Sequence, residues 1–432
     1  MSTVISEGFN LEQQEAIELA LDDTTRKLFI TGIGGSGKSH VIREITKHYK
    51  VEDLILLAPT HSAARLIGGQ TIHSFFQVGM QLDTDAKSEQ EALNCNLDGA
   101  ELSVADGKVI IIDECSMLGG DMLEKIIRDM PVRKLILVGD PMQLNPVKDS
   151  AVDWEDFCDE TVMLVENYRT SNPELLKAIN HYRDHEDDDA LFKAIKPVKF
   201  NGDLTLRSDT VCIAHKNHTL SMMQKDLLGY AGAKQGDEVL TFGSATEHMI
   251  LIKDPRTGKD KLSPYYVNGD VMKITSGPQT YYADNLYSVR AVNVEYMNRE
   301  PIDKNPKFPS KVELLIGDYD SYKRLLQSKY SDAQEFGNAM VKKYSPNARV
   351  KAKNLVHKFT PDERREWGQV WHQYLGFKSK AYARHKQFVT SYKIQGRSAT
   401  DVIIHWDDLP SADHKYVALS RAIESVQILK LG

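Results

Sequence analysis

Gly32-Ile33-Gly34-Gly35-Ser36-Gly37-Lys38-Ser39 sets two glycines five residues apart and follows them with Lys-Ser. That is the spacing of a phosphate loop. Glycines let successive backbone N–H groups turn inward, and a helix starting at the loop's end adds the positive end of its dipole. Lys38 would neutralise charge on the β- and γ-phosphates, and Ser39 would offer a hydroxyl to Mg²⁺. Glycines 32, 35 and 37 are the positions where the backbone must curl or be approached closely. The chemistry is binding of a nucleoside triphosphate with Mg²⁺.

A second set of residues could act on that triphosphate. Asp113-Glu114 closes the apolar run Val109-Ile110-Ile111-Ile112. In open α/β sheets ligands bind at the carboxyl ends of strands. Asp113 there can hold Mg²⁺ through water, and Glu114 can orient or deprotonate the attacking water. Gln143, after Leu135-Ile136-Leu137-Val138-Gly139-Asp140-Pro141-Met142, repeats the strand–turn–polar pattern and is placed to sense the γ-phosphate. Phosphoryl transfer also needs positive charge on the transferred group. Arg169 and Arg421 could bring it from further along the chain, across a domain interface. Gln13, just upstream of the loop, has the donor and acceptor that match an adenine edge, or is an ordinary surface residue. Thr60, His61, Thr71 and His73 follow the strand Leu54-Ile55-Leu56-Leu57-Ala58 or a Gly-Gly turn. They are good donors to a phosphodiester backbone, though capping and turn chemistry would use the same residue types.

The elements that must carry these residues are legible. Leu28-Phe29-Ile30-Thr31 reads as a buried strand before the loop, and Val41, Ile42, Ile45 and Tyr49 recur at helical spacing after it. Strands alternating with helical segments predict an α/β fold with a parallel, doubly wound sheet. Past residue 158, Val211-Cys212-Ile213-Ala214-His215, Val402-Ile403-Ile404-His405 and the strand–turn–helix signals around 416–421 predict a second α/β domain, split by an insertion. Short β-like runs broken by Pro, Gly and Asn over 240–320 suggest a small barrel, and 320–380 reads as helical and basic.

At 432 residues the chain is too long for one typical core. Its 41% hydrophobic and 27% charged content is that of a water-soluble globular protein, with no run long enough to span a bilayer and no signal pattern. The four scattered cysteines (Cys95, Cys115, Cys158, Cys212) read as reduced, buried thiols of a cytoplasmic protein. Net charge is −7, which alone argues against a nucleic-acid partner. Its distribution argues otherwise. Residues 321–398 hold 17 Lys/Arg against 5 Asp/Glu, and acidic clusters sit at 83–106 and 184–189. A basic face for a polyanion fits this polarity, and so does a solvated basic domain.

The ordered set resembles a known family. Gln13, the 32–39 loop, Ala58-Pro59-Thr60-His61, Thr71-Ile72-His73-Ser74, Asp113-Glu114-Cys115-Ser116 and Gly139-Asp140-Pro141-Met142-Gln143 are similar to the N-terminal half of a superfamily 1 DNA helicase. Tyr168-Arg169, Tyr392-Lys393-Ile394-Gln395-Gly396 and Leu419-Ser420-Arg421-Ala422 are similar to its C-terminal half. Within the family the chain looks most like the Dda-type phage helicases of the RecD-like branch. The resemblance implies two RecA-like P-loop domains, at 1–78 with 108–158 and at 159–239 with 383–432. A strand-separating pin would occupy 79–107, and an SH3-like barrel with a helical extension would occupy 240–382.

The resemblance further implies ATP-driven 5′-to-3′ movement on single-stranded DNA. Gln395 and Gly396 would join the nucleotide site, and Thr390 and Tyr392 would join the DNA-binding residues. Branch members generally carry His where this chain has Tyr392, a longer donor that titrates near pH 10. Trp367 and Trp371, four apart on one helical face, would lie near the DNA path, unless they are a core-facing aromatic pair. Expected partners are single-stranded DNA and duplex junctions, with single-strand-binding or replisome proteins. No membrane and a monomeric state are also expected. An ATP-dependent clamp that binds DNA without separating strands, and a nucleotide-regulated RNA-binding protein, remain alternatives.

Overall fold

The computed structural model describes residues 8–75, 107–129, 132–144, 146, 152–198, 204, 206–230, 232–242, 249–253, 260–264, 266, 268–276, 280–283, 288–296, 312–346, 350–378 and 380–430. All but Gly107 of the expected pin lies outside them. The chain divides into two compact units, crossing from one to the other at 215/216 and back at 388/389.

The first unit contains two sheets. Strands β1 (Lys27–Gly32), β2 (Leu54–Ala58), β3 (Gln70–Thr71), β4 (Val109–Ile112), β5 (Lys134–Gly139) and β6 (Glu160–Leu164) run in the order β3-β2-β4-β5-β1-β6. Every pairing is parallel. The continuous apolar runs follow from this topology, because a parallel sheet is covered on both faces. Side chains alternate between the two covers. Leu28, Ile30, Leu56, Val109, Ile111, Ile136 and Val138 pack with Ala16, Ile17, Val41, Ile42 and Ile45. Phe29, Ile55, Leu57, Ile110, Ile112, Leu135 and Leu137 pack instead with Leu123, Ile126 and Trp154.

Strand order decides where the chemistry gathers. Because β4, β5 and β1 are neighbours, the loops after Ile112, Gly139 and Gly32 emerge side by side at one carboxyl edge. The second sheet has the order Phe388–Thr390, Thr210–Ala214, Ala399–His405, Ala422–Leu429, with the last three parallel. Its helix Ala412–Leu419 is mostly buried.

The second unit is built on an antiparallel sheet. Its strands are Glu238–Thr241, Val271–Ile274, Thr280–Ala283, Ser288–Tyr296, Val312–Gly317 and Ala383–His385. Val239, Tyr266, Met272, Ile274, Leu314 and Ala383 share its core. A helical pair, Tyr319–Tyr344 and Pro361–Lys378, follows. The unit extends beyond the expected 240–382 because Ala383–His385 pairs with Glu238–Thr241, and the helix Asn217–Leu228 belongs to it too. Among the cysteines, Cys115 and Cys212 are buried, whereas Cys158 is only half-buried and Cys95 lies outside the described residues.

Candidate active site

The 32–39 stretch forms a loop between β1 and the helix Lys38–Lys47. Gly37 caps that helix with φ +84, and Gly35 has φ +91, both in the left-handed region open to glycine. Crowding demands glycine as well. A Cβ on Gly35 would lie 2.6 Å from the Cβ of Arg169, and one on Gly37 would lie 2.7 Å from Nε2 of Gln13. The absence of side chains here lets two other segments press against the loop.

The loop borders a cavity of ≈ 270 Å³ lined by residues 34–40, Arg43, Asp113, Glu114, Gln143, Tyr168, Arg169, Gly396 and Arg421 among others. Lys38 Nζ donates to the carbonyls of Gly32 (2.7 Å) and Ile33 (3.0 Å). Burial pushes its pKa down, while Asp140, Glu114 and Asp113 oppose the shift. Asp113 is buried, and its Oδ1 accepts the Glu114 N–H at 2.9 Å. Burial, with Glu114 beside it, raises its carboxyl pKa to about 7. A cation against this carboxylate would favour its charged form.

Glu114 holds φ +53, a conformation uncommon for a non-glycine residue. Its buried Oε2 has no hydrogen-bond partner among the described residues. Strain and an unpaired acceptor together characterise functional positions. Oxygen-only donors, the Asp113 carboxylate and the Ser39 hydroxyl, suit Mg²⁺, which takes one or two carboxylates and fills its shell with water and phosphate. Residues 39 and 113 therefore fit that ion. When bound it would neutralise charge on the phosphates.

Two arginines of the second half of the unit complete the cavity. Arg421 is buried, with Nη2 donating to Gln143 Oε1 at 2.8 Å and Nε donating to the Val417 carbonyl at 3.1 Å. Arg169 Nη1 donates to the Ser420 carbonyl at 2.7 Å. Its pKa is lowered to about 10 by burial and by Arg421, which leaves it charged at neutral pH. An anion entering the cavity would meet both guanidinium groups and Lys38.

The other expected residues are placed as follows. Gln13 is buried, in a capping box with Asn10, and its Nε2 donates to the Ser36 carbonyl at 3.2 Å. Its amide supports the loop in this arrangement. Gly396 lines the cavity, whereas Gln395 is buried beside it with both amide atoms unpartnered among the described residues. Thr60 caps the helix His61–Leu66. Thr71 is buried in β3, and His73 belongs to the short helix Ile72–Phe75, its side chain outside the described residues. Thr390 Oγ1 accepts the Lys393 N–H at 3.3 Å, and the Tyr392 ring stands 4.9 Å from that of His414. Trp367 and Trp371 lie in the second unit, half-buried and 5.4 Å apart. Phe336 and Phe359 flank Trp367, and Tyr330 and Tyr374 flank Trp371, so the pair is packed within its helical layer.

Four residues of this site carried no role in the sequence reading. Asp140 Oδ2 accepts from Tyr416 Oη (3.0 Å) and Gln143 Nε2 (3.3 Å). Asn167 Nδ2 donates to the Gly34 carbonyl at 2.6 Å, and Ser420 supplies the carbonyl held by Arg169. Asp140, Tyr416 and Ser420 sit inside stretches singled out as motifs, but which members of a motif touch each other is a property of the fold.

Residues 8–206 match the family model described as an AAA domain. The chain is 32% identical over 231 residues to the ATP-dependent DNA helicase Pif1 of Bdellovibrio bacteriovorus, covering 44% of this chain and 52% of that protein. It is 29% identical over 204 residues to the ATP-dependent DNA helicase RRM3 of Saccharomyces cerevisiae, covering 40% and 27%. It thus spans about half, or less, of the length of these curated relatives. In fold it resembles the Pif1 helicase of Candida albicans (TM-score 0.56, 16% identity, 99% of this chain and 96% of that one). It also resembles Pif1 of Bacteroides in complex with ADP-AlF3 and ssDNA (TM-score 0.53, 17% identity, 99% and 92%). The chain has the RecA-like parallel-sheet fold of these solved structures.

Proposed function

We propose that this Pif1-like chain is an ATP-dependent DNA helicase, hydrolysing ATP with Mg²⁺ to move along single-stranded DNA and separate duplexes. The observation that carries the reading is the meeting of Lys38, Asp113, Glu114 and Gln143 with Arg169 and Arg421 around one cavity. Lys38 and the loop hold the phosphates, and Asp113 with Ser39 holds the ion. Glu114 takes the proton of the attacking water, and Gln143 reports the γ-phosphate. Arg169 and Arg421 stabilise charge in the transition state, supplied from the half of the unit that does not hold the loop. Coupling follows, because hydrolysis then requires the two halves to come together.

On the DNA side, Thr60, His61, Thr71, His73, Thr390 and Tyr392 are the proposed contacts. Direction 5′ to 3′ and the Dda-type likeness rest on Lys393-Ile394-Gln395-Gly396, the short insertion before Asp113 and the Gly139-Asp140-Pro141-Met142-Gln143-Leu144 motif. Replication, recombination or repair of phage DNA is the corresponding process, carried out by a monomer in the host cytoplasm. Among the described residues no helix is long and apolar enough to cross a membrane. ATP hydrolysis measured with no nucleic acid, with oligo-dT and with oligo-U tests the reading. Stimulation by DNA is expected. A rate indifferent to DNA, or raised by RNA alone, contradicts it.

A further inference from the structure

Tyr416 belongs to the helix Ala412–Leu419 of the second sheet, yet its hydroxyl is engaged by loops of the first. It accepts the Gly34 N–H at 3.1 Å and donates to Asp140 Oδ2 at 3.0 Å. Burial and the neighbouring Asp140 push the phenol pKa up, so the hydroxyl keeps the proton it donates. Asp140 also accepts from Gln143 Nε2 and from the Met142 N–H, which fixes the turn carrying Gln143. The same helix leads into Ser420 and Arg421, whose groups meet Arg169 and Gln143. At its other end His414 Nδ1 lies 2.7 Å from Ser391 Oγ, between Thr390 and Tyr392 in sequence.

Tyr416 does not border the nucleotide cavity. Its side chain faces a smaller one, ≈ 160 Å³, with Pro141, Met142, Tyr182 and Arg183. A group so placed can set the relation between phosphate loop, Gln143 turn and arginine-bearing helix without touching nucleotide.

We propose that Tyr416 is a positioning residue for hydrolysis. Its hydroxyl ties Gly34 and Asp140 to the helix Ala412–Leu419 in the arrangement where Arg421 reaches Gln143. The proposal rests on the function proposed above and names the part of the site that aligns the two halves. The test is Tyr416→Phe, which removes the hydroxyl and keeps the ring, compared with 3-fluorotyrosine at position 416, which keeps both. The kcat and KM for ATP are measured at saturating oligo-dT, with binding of a fluorescent ADP analogue alongside. In the Phe variant kcat is expected to fall about tenfold, the loss from the aligned state of the hydroxyl's two hydrogen bonds, to Gly34 and Asp140. ADP affinity should stay within about twofold, since no nucleotide contact is removed. The fluorotyrosine protein should hydrolyse at the wild-type rate.

An unchanged kcat in Tyr416→Phe overturns the assignment. So does a fall in ADP affinity as large as the fall in rate, and so does a fluorotyrosine protein as slow as the Phe variant. The wild-type response to DNA, measured in parallel, separates the two claims. Its absence contradicts the helicase reading, whereas its presence with an indifferent Tyr416→Phe contradicts only this one.

Discussion

Arg421 donates through Nη2 to Gln143 Oε1 at 2.8 Å, and both side chains are buried against the phosphate loop's cavity. The two residues lie 278 positions apart and belong to different sheets. The proposed sensor of the γ-phosphate and the proposed cation for the transition state thus share one hydrogen bond. An anion drawing Arg421 towards it also moves Gln143. Arg421→Lys should keep the charge but lose the planar fork that serves Val417, Gln143 and phosphate together. DNA-stimulated hydrolysis is expected to fall by about 10³-fold or more, the lower end of what such arginines supply. Single-strand binding, read by fluorescence anisotropy, should persist. Retention of most of the rate would remove Arg421 from the site.

Lys38→Ala removes the only ammonium in the phosphate loop. ATP hydrolysis should vanish, while the circular dichroism spectrum stays that of the parent. Lys38 also donates to the Gly32 and Ile33 carbonyls, so a small loss of melting temperature is expected along with the loss of rate. Near-normal turnover in a folded variant is incompatible with the phosphate-loop assignment.

Glu114→Gln keeps shape while removing the carboxylate. Hydrolysis should drop by roughly 10²-fold or more, the usual contribution of a positioned base. Affinity for a non-hydrolysable ATP analogue should be retained. Equal losses of affinity and rate would instead mark Glu114 as a residue that holds nucleotide or ion.

Lys134 offers a prediction about stability alone. Its buried Nζ donates to the carbonyls of Leu19, Ala20 and Asp22, at 3.1, 2.7 and 2.5 Å, closing the end of the helix Leu11–Leu21. Lys134→Met leaves those acceptors without the charge that pairs them. Unfolding free energy should fall by about 2 kcal/mol, in the range of a charged hydrogen-bonded group. Denaturant unfolding checks it, and an unchanged midpoint would mean that water replaces the ammonium at no cost.

Much of the first sheet was legible because a parallel strand buried on both faces has to be apolar throughout. The runs at 28–31, 54–58, 109–112 and 135–139 coincide with β1, β2, β4 and β5 within a residue or so. The phosphate loop was legible for a different reason: its glycines and the Lys-Ser that closes it fall at a fixed spacing within eight consecutive residues. What sequence could not give was the long-range part. Tyr416 reads as one more aromatic in an apolar helix, and only the packing of that helix against the loops of the other sheet brings its hydroxyl to Gly34, 382 residues earlier. Lys134 reads as a surface lysine at a strand's start, because nothing local says that a helix ends over it. Gln13 shows the converse limit. Its amide matches an adenine edge in chemistry, yet one of its two N–H donors is given to the Ser36 carbonyl.

Displacement of an oligonucleotide from duplexes bearing either a 5′ or a 3′ single-stranded tail, with ATP and Mg²⁺, is the decisive test of the helicase reading. Release from the 5′-tailed duplex is expected, and little from the 3′-tailed one. No release is expected with a non-hydrolysable analogue or with the Lys38→Ala protein. DNA-stimulated ATP hydrolysis without displacement of either duplex would contradict that reading, leaving an ATP-driven clamp in place of a helicase.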